Sequence, residues 1–416
     1  MVAPPRPRIG LALAGGGPLG ITYEIGALLA LEEALDGIEF NDLPIYVGVS
    51  AGAVVASALA NGFTPAKLCQ VLVLNQSAAF PVNPEHFLRL VWHRFAHGLT
   101  VLPCRLIKTV WGCVQKPHDI SLPGALVSEL LGTLPPGLWD NERINRFLTK
   151  IYRSRGRTND FRKLKRQLFV VGMNLDTGEI TCFGGPGQDH VPISKAVQAS
   201  TAVPGLFPPV AIDGRYYVDG GVKKTVHAST ALDAGAELLF CINPIVSFNP
   251  RLVDSQRRKN LTSLVEGGLP AVMAQATRIV IHSRMKAGLA RYANQYPGRD
   301  ILLFEPHQRD ADMFFARIFS FTQRLRVCEH AYQATRADLR NRQEVLEPLL
   351  ARHGITLRSD VLADQNRHFN SHLHIPPEVN RMAGLQHPVT NELSDALDQL
   401  DSWLAEHRSQ SSAAVG

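Results

Sequence analysis

With 416 residues, 45% of them hydrophobic and 19% charged, the chain can build a large core and falls outside the disordered and fibrous classes. Its formal net charge of +6 is small for this length; it makes no case for nucleic acid, although it suits an anionic surface. Six cysteines, at positions 69, 104, 113, 182, 241 and 328, show no CxxC pair or metal-ligand spacing and read as reduced thiols rather than a zinc site or disulfide framework.

In chain order, a first buried strand is expected at 8–14 (RIGLALA), then the run Gly15-Gly16-Gly17-Pro18-Leu19-Gly20. A helix over 21–35 follows, in which Ile25, Leu28, Leu29 and Leu31 recur at helical spacing. A glycine run between strand and helix bares successive backbone N–H groups and makes an anion cradle. Gly15-x-Gly17-x-x-Gly20 fits a dinucleotide fingerprint as well as an oxyanion loop. The dinucleotide reading needs an acid at the end of the second strand, whereas Asp36 and Glu39 precede that strand.

The second strand, 45–47, runs instead into Gly48-Val49-Ser50-Ala51-Gly52 and a helix over 53–60, with Gly62 at the C-cap position. Strand, Gly-x-Ser-x-Gly turn and helix form a nucleophile elbow. Gly48 and Gly52 leave room on either side of the turn, and Ser50 projects at a helix N-terminus where developing negative charge is favoured. In a parallel sheet the glycine loop and the elbow open at the same carboxyl edge, so the oxyanion reading accounts for both.

Residues 82–114 interleave Trp92, Phe95 and Trp111 with Arg89, Arg94, Arg105 and Lys108, which suits a lid or membrane-interface segment as well as helices with solvated basic faces. The basic cluster at 153–166 reads as a solvated face. Strands return at 167–173 and 180–183, and a helix over 191–201 stops at ASTAVPGLFPP (199–209). A hairpin (210–212, then Asp213-Gly214, then 215–218) ends in Asp219-Gly220-Gly221, where the Asp219 carboxylate can project into a site. A helix at 228–236 and strands at 237–243 and 300–304 follow. Beyond about 310 the strands stop; helices are expected at 312–353 and 391–407, separated by a loop at 376–388, with a short disordered tail.

Four of these blocks occur together, in this order, in one family: over roughly residues 8–310 the chain resembles the patatin-like phospholipases. AGGGPLG (14–20) matches the oxyanion loop, GVSAG (48–52) the elbow, ASTAVPGLFPP (199–209) the Ala-Ser-x-Ala-x-Pro-x-x-Phe-x-Pro segment, and DGG (219–221) the Asp-Gly block. The resemblance implies a three-layer α/β sandwich with a mainly parallel central sheet over 1–310; beside it, the residues themselves read as a helical insertion or lid at 62–165 and a helical C-terminal extension over 311–416 packed on that domain. The resemblance also implies a serine hydrolase of lipid esters, of phospholipase A or lysophospholipase type, working by a Ser–Asp dyad without histidine, metal or cofactor. Ser50 would be the nucleophile, Asp219 the base, and the amides of Gly15, Gly16 and Gly17 the oxyanion hole, with Gly20, Gly48, Gly52, Gly220 and Gly221 as the supporting glycines. The implied partner is a lipid substrate met at a membrane surface. With no signal peptide and no apolar run of 18 residues, the expected location is the cytoplasm or its membrane surface.

The chain departs from the family pattern twice. Many members have a basic residue in the glycine loop, where Pro18-Leu19 stands here, and Pro18 donates no N–H. Many have Asn-x-Pro after the Asp-Gly block, where GVKKTVH stands. Two rival readings remain: an α/β-hydrolase triad using His227, His282 or His307, and a lipid-binding protein that has lost turnover.

Overall fold

The apolar runs IGLAL, IYVGV and LLFCI are buried along their whole length, as strands in the interior of a sheet covered on both faces must be. They form β1 (Ile9–Leu13), β3 (Ile45–Val49) and β8 (Leu238–Ile242) in a computed structural model that describes residues 7–76, 107–109, 132, 135–252, 265, 268–310, 321–371 and 373. With β4 (Gln167–Asn174) and β9 (Asp300–Phe304) they run parallel in the order β4-β3-β1-β8-β9. The hairpin of β6 (Val210–Ile212) and β7 (Arg215–Asp219) and the strand β5 (Ile180–Phe183) join β4 antiparallel, giving a mixed sheet of eight strands. The hairpin turns at Asp213 and Gly214, both at positive φ (50° and 74°), the geometry of a two-residue hairpin turn.

Alternate residues of the central strands face two separate apolar clusters, so the sheet is the middle of three layers. Leu11, Leu13, Tyr46, Val170 and Phe240 pack with α1 (Gly17–Ala34), α2 (Ala51–Ala60) and α5 (Ile193–Ser200). Ala12, Ala14, Val47, Val49, Leu239 and Cys241 pack with α6 (Ala228–Asp233) and with Met285 and Tyr292 of α7 (Gly268–Gln295). Two further helices, α3 (Pro65–Leu68) and α4 (Glu142–Tyr152), complete the first layer's surroundings.

Outside α1 lies α8 (Phe321–Asn341), followed by α9 (Gln343–Ala351) and α10 (Ser359–Ala363). The two long helices touch at Gly26, where a Cβ would lie 2.3 Å from the Cys328 carbonyl oxygen. At the same contact the buried Glu33 meets Tyr332, Arg336 and Arg367.

Several expectations need correction. Strands do not stop at 310: β10 (Thr356–Leu357) pairs antiparallel with β2 (Leu35–Asp36), each only two residues long and too short to leave a periodic trace. Within 312–353 the described residues form two helices, broken at Arg342. α1 begins four residues before Ile21, because Gly17-Pro18 make its first turn, where proline's missing N–H costs no hydrogen bond. The 28-residue α7 falls where no element was expected. The readings at 376–388 and 391–407, and nearly all of 82–114, fall outside the described residues. Among the described residues no helix is long and apolar enough to cross a membrane.

Candidate active site

Strand register determines where the two candidate catalytic side chains meet. β3 pairs with β4 from Ile45↔Gln167 to Val49↔Val171, and β7 pairs with it from Gly172↔Asp219 onward. β5 covers β4 residues 170–173 and overlaps both, so it occupies the opposite edge. The ends of β3 and β7 therefore abut along one edge of β4, and Val49 and Asp219 face consecutive residues there.

Beyond Val49 the chain makes the expected elbow. Ser50 has φ 53° and ψ −119°, a region costly for a residue with a side chain, on the order of 1–3 kcal/mol. Packing holds it there: a Cβ on Gly48 would lie 2.5 Å from Ala53 Cα, and one on Gly52 would lie 2.4 Å from the Leu13 carbonyl oxygen. The Gly52 N–H donates to the Ala14 carbonyl (3.0 Å), clamping the elbow to the end of β1.

The segment 199–209 ties the backbones of the two residues together. Ser200, fully buried, accepts from the Ser50 N–H at 2.9 Å and donates to the Val171 carbonyl at 2.6 Å. Two residues on, the Ala202 carbonyl accepts from the Asp219 N–H at 3.0 Å. Sequence reasoning located this block but missed its work, since the Ser200–Ser50 contact spans 150 residues of chain. Its only trace in the sequence is a serine in the last position of that helix, before Thr201.

Ser50 and Asp219 are each 5% exposed, and the serine hydroxyl lies near enough to the carboxylate to favour its ionised form. The Gly221 N–H donates to Asp219 Oδ1 at 2.7 Å. Burial pushes the Asp219 carboxyl up to about 6, against the opposing pull of the Ser50 hydroxyl and the Gly221 amide; among the described residues no cation contributes. Gly220 packs so closely on β4 that a Cβ would lie 2.6 Å from the Val171 carbonyl oxygen.

Gly15 lies against the serine, where a Cβ would come within 3.2 Å of Ser50 Cβ. Gly16 caps α1 against Pro244, Gly17 starts the helix at φ +61°, and Gly20 lies against Ala51. The N-termini of α1 and α2 both set positive dipole ends near Ser50, but the Ser50, Gly52 and Ala53 amides are already bonded to Ser200, Ala14 and Ser50, so free donors fall chiefly to the glycine loop at the start of α1. Pro18 removes one donor there.

The three candidate histidines lie elsewhere. His227 is buried, its Nε2 without a hydrogen-bond partner among the described residues, and is lowered to about 4 by burial. His282 pairs through Nδ1 with Ser247 Oγ (3.0 Å), and His307 accepts from the Arg309 N–H (3.3 Å). Among the described residues no histidine bonds to Ser50 or Asp219. Asp36, which a dinucleotide site would use, lies exposed on β2 at 3.8 Å from Arg358.

Fold and site define a three-layer α/β protein with a serine elbow at the carboxyl edge of its sheet. The chain belongs to the patatin-like phospholipase family, whose model matches residues 11–232. It is 24% identical over 212 residues to a protein of Invertebrate iridescent virus 6 named probable lipid hydrolase 463L, covering 51% of this chain and 59% of that one. It is 22% identical over 214 residues to uncharacterized protein R571 of Acanthamoeba polyphaga mimivirus, covering 51% and 57%. The chain thus spans less than two thirds of the length of these relatives. Among solved structures, VipD from Legionella pneumophila aligns over 82% of this chain and 67% of that one, at 18% identity and a TM-score of 0.36. ExoU of Pseudomonas aeruginosa aligns over 82% and 54%, at 16% identity and a TM-score of 0.35.

Proposed function

We propose that the protein is a serine hydrolase that cleaves carboxylic esters of phospholipids or related lipids through an acyl-enzyme, with Ser50 as nucleophile and Asp219 as base. The observation that carries this reading is the strand register that brings the Ser50 elbow and the Asp219 carboxylate together, both buried and, among the described residues, with no cation paired to the carboxylate. A serine hydroxyl attacks only if its proton is taken as the bond forms, and a poorly solvated carboxylate raised toward neutrality can take it.

In the first half-reaction Ser50 Oγ adds to the ester carbonyl carbon and its proton passes to Asp219. The tetrahedral oxyanion lies against the Gly15, Gly16 and Gly17 backbone at the N-terminus of α1. Collapse expels the alcohol, a lysophospholipid when the substrate is a diacyl phospholipid, and the Asp219 proton goes to the leaving oxygen. Water then attacks the acyl-serine with Asp219 again as base, releasing the fatty acid and restoring Ser50. Contact with a membrane surface, a cytoplasmic location, a main domain to about residue 310 with an insertion at 62–165, and a helical extension over 311–416 belong to the same proposal. The packing of α8 on the outer side of α1 supports the last of these.

The test is hydrolysis of a soluble short-chain p-nitrophenyl ester and of phospholipid vesicles by wild type, Ser50→Ala and Asp219→Asn at matched folded concentration. Wild type should turn over both substrates. Ser50→Ala should lose at least about 10⁴-fold and Asp219→Asn about 10³- to 10⁴-fold. Asp219→Asn retaining most of the activity would overturn the dyad.

A further inference from the structure

The helix α7 is apolar on the face turned away from the core. Its inner side is accounted for by His282, Met285 and Tyr292, all buried. On the outer side Val272, Met273, Ile279 and Val280 are 44, 56, 50 and 50% exposed, although the helical repeat places them together on one face. Ala276, Ser283, Ala287 and Ala290 continue that face and are exposed as well. Charged residues border it with a single sign. The 28 residues of α7 contain four basic and no acidic side chains, and Arg284, Lys286 and Arg291 stand exposed beside the apolar face.

The apolar half of α7 also lies at the edge of the sheet where Ser50 opens. Gln275 donates to the Phe248 carbonyl (2.7 Å), and His282 meets Ser247 Oγ (3.0 Å). Both partners belong to the loop that leaves the carboxyl end of β8. Pro244 of that loop lies against Gly16, where a Cβ would come within 2.6 Å of it. Two further exposed apolar side chains, Leu206 and Val222, lie shortly after Ser200 and Asp219 in the chain.

The geometry points to this face of α7 as the surface that docks on an anionic lipid bilayer and brings the Ser50 edge to its substrate. An apolar helical face flanked by cations matches the acyl boundary and the negative headgroups above it. A second copy of the chain fits less well: a twofold interface would set the basic border against itself, like charge facing like. The inference rests on the lipid-hydrolase reading, but its test is separable from it.

Docking is measured on Ser50→Ala protein, so that no product accumulates, by cosedimentation with phosphatidylcholine vesicles with and without phosphatidylglycerol. The protein should bind the anionic vesicles, and added salt should weaken binding. Adding Ile279→Asp with Val280→Asp should weaken binding on the order of 100-fold, since two apolar anchors are lost and negative charge is introduced. A second variant, Arg284→Glu with Lys286→Glu, should lose the preference for anionic vesicles while keeping the apolar anchors. With Ser50 intact, the Ile279→Asp, Val280→Asp pair should leave turnover of a soluble ester at the wild-type level, with circular dichroism confirming the fold. Unaltered binding by this double variant would overturn the assignment. So would failure of the parent protein to bind either vesicle, or sedimentation equilibrium showing a dimer that the two substitutions split. Docking without ester turnover would sink the catalytic reading and leave this one standing.

Discussion

Asp219 and Glu33 are both carboxylates sunk in the protein, and their surroundings differ in the one component that decides what a carboxylate can do. Glu33, in the last turn of α1, meets the Tyr332 hydroxyl and the guanidinium groups of Arg367 and Arg336. Asp219 meets a hydroxyl and an amide and, among the described residues, no cation. Guanidinium partners stabilise the ionised form and take away its appetite for a proton; neutral donors in a buried place leave that appetite in place. The first arrangement joins α1 to α8, and the second suits a base. Glu24, also on α1, is a third case: fully buried, neither oxygen partnered, and pushed well above the usual carboxylate range by burial alone. It has the raised basicity but no serine beside it.

The contrast can be broken from either side. The largest effect on folding should come from Glu33→Gln. With its charge removed, Arg336, which is 1% exposed, keeps its cost of burial, and stability should fall by about 3–5 kcal/mol. Chemical denaturation would measure the loss, while the specific activity of the folded fraction should be unchanged. Asp219→Asn should do the reverse, losing turnover and gaining stability. The folded Asp219 carboxyl is raised from 3.8 to about 6, so the native state holds this proton more tightly than the unfolded chain does. Stability therefore declines as pH rises across that interval and stays lower above it. At neutral pH the amide should recover up to about 2–3 kcal/mol. A melting temperature that falls in this variant would contradict the account.

Ser200→Ala should have a smaller effect, confined to chemistry. The Ser50 amide and the Val171 carbonyl lose their common partner, and the strained elbow loses a restraint. We expect kcat to drop about tenfold with KM little changed, since a loosened nucleophile sits less often in its reactive geometry. A purely structural role would lower the folded fraction and leave kcat per folded molecule intact. The smallest effect is expected of Glu24→Gln, about 1 kcal/mol of added stability with no kinetic consequence.

The parts legible in the sequence were those that sterics makes obligatory. Gly48, Gly52 and the Gly15–Gly17 run stand where backbones approach too closely for a Cβ or a helix must start abruptly, and such demands leave few residue choices. The apolar runs of the parallel strands were equally plain. What stayed hidden depends on distant contacts or on faces without contrast. Ser200 shows its purpose only when β4 brings Val171 alongside Ser50. α7 escaped notice because apolar side chains lie on its outer face as well as its inner one, which erases the amphipathic signature. The Glu33 cluster joins residues some 300 positions apart, and nothing local marks them as partners.

The central claim, that Asp219 rather than a histidine takes the Ser50 proton, is tested most directly by the pH dependence of kcat/KM on a soluble ester, measured for wild type and His227→Gln. Activity requires ionised Asp219, so it should fall as pH drops through about 6 in both proteins. His227, lowered to about 4, would place its own limb well below that. A limb near 6 that survives the histidine change is the predicted result. Loss of activity in folded His227→Gln, or an acid limb that moves with it, would contradict the account.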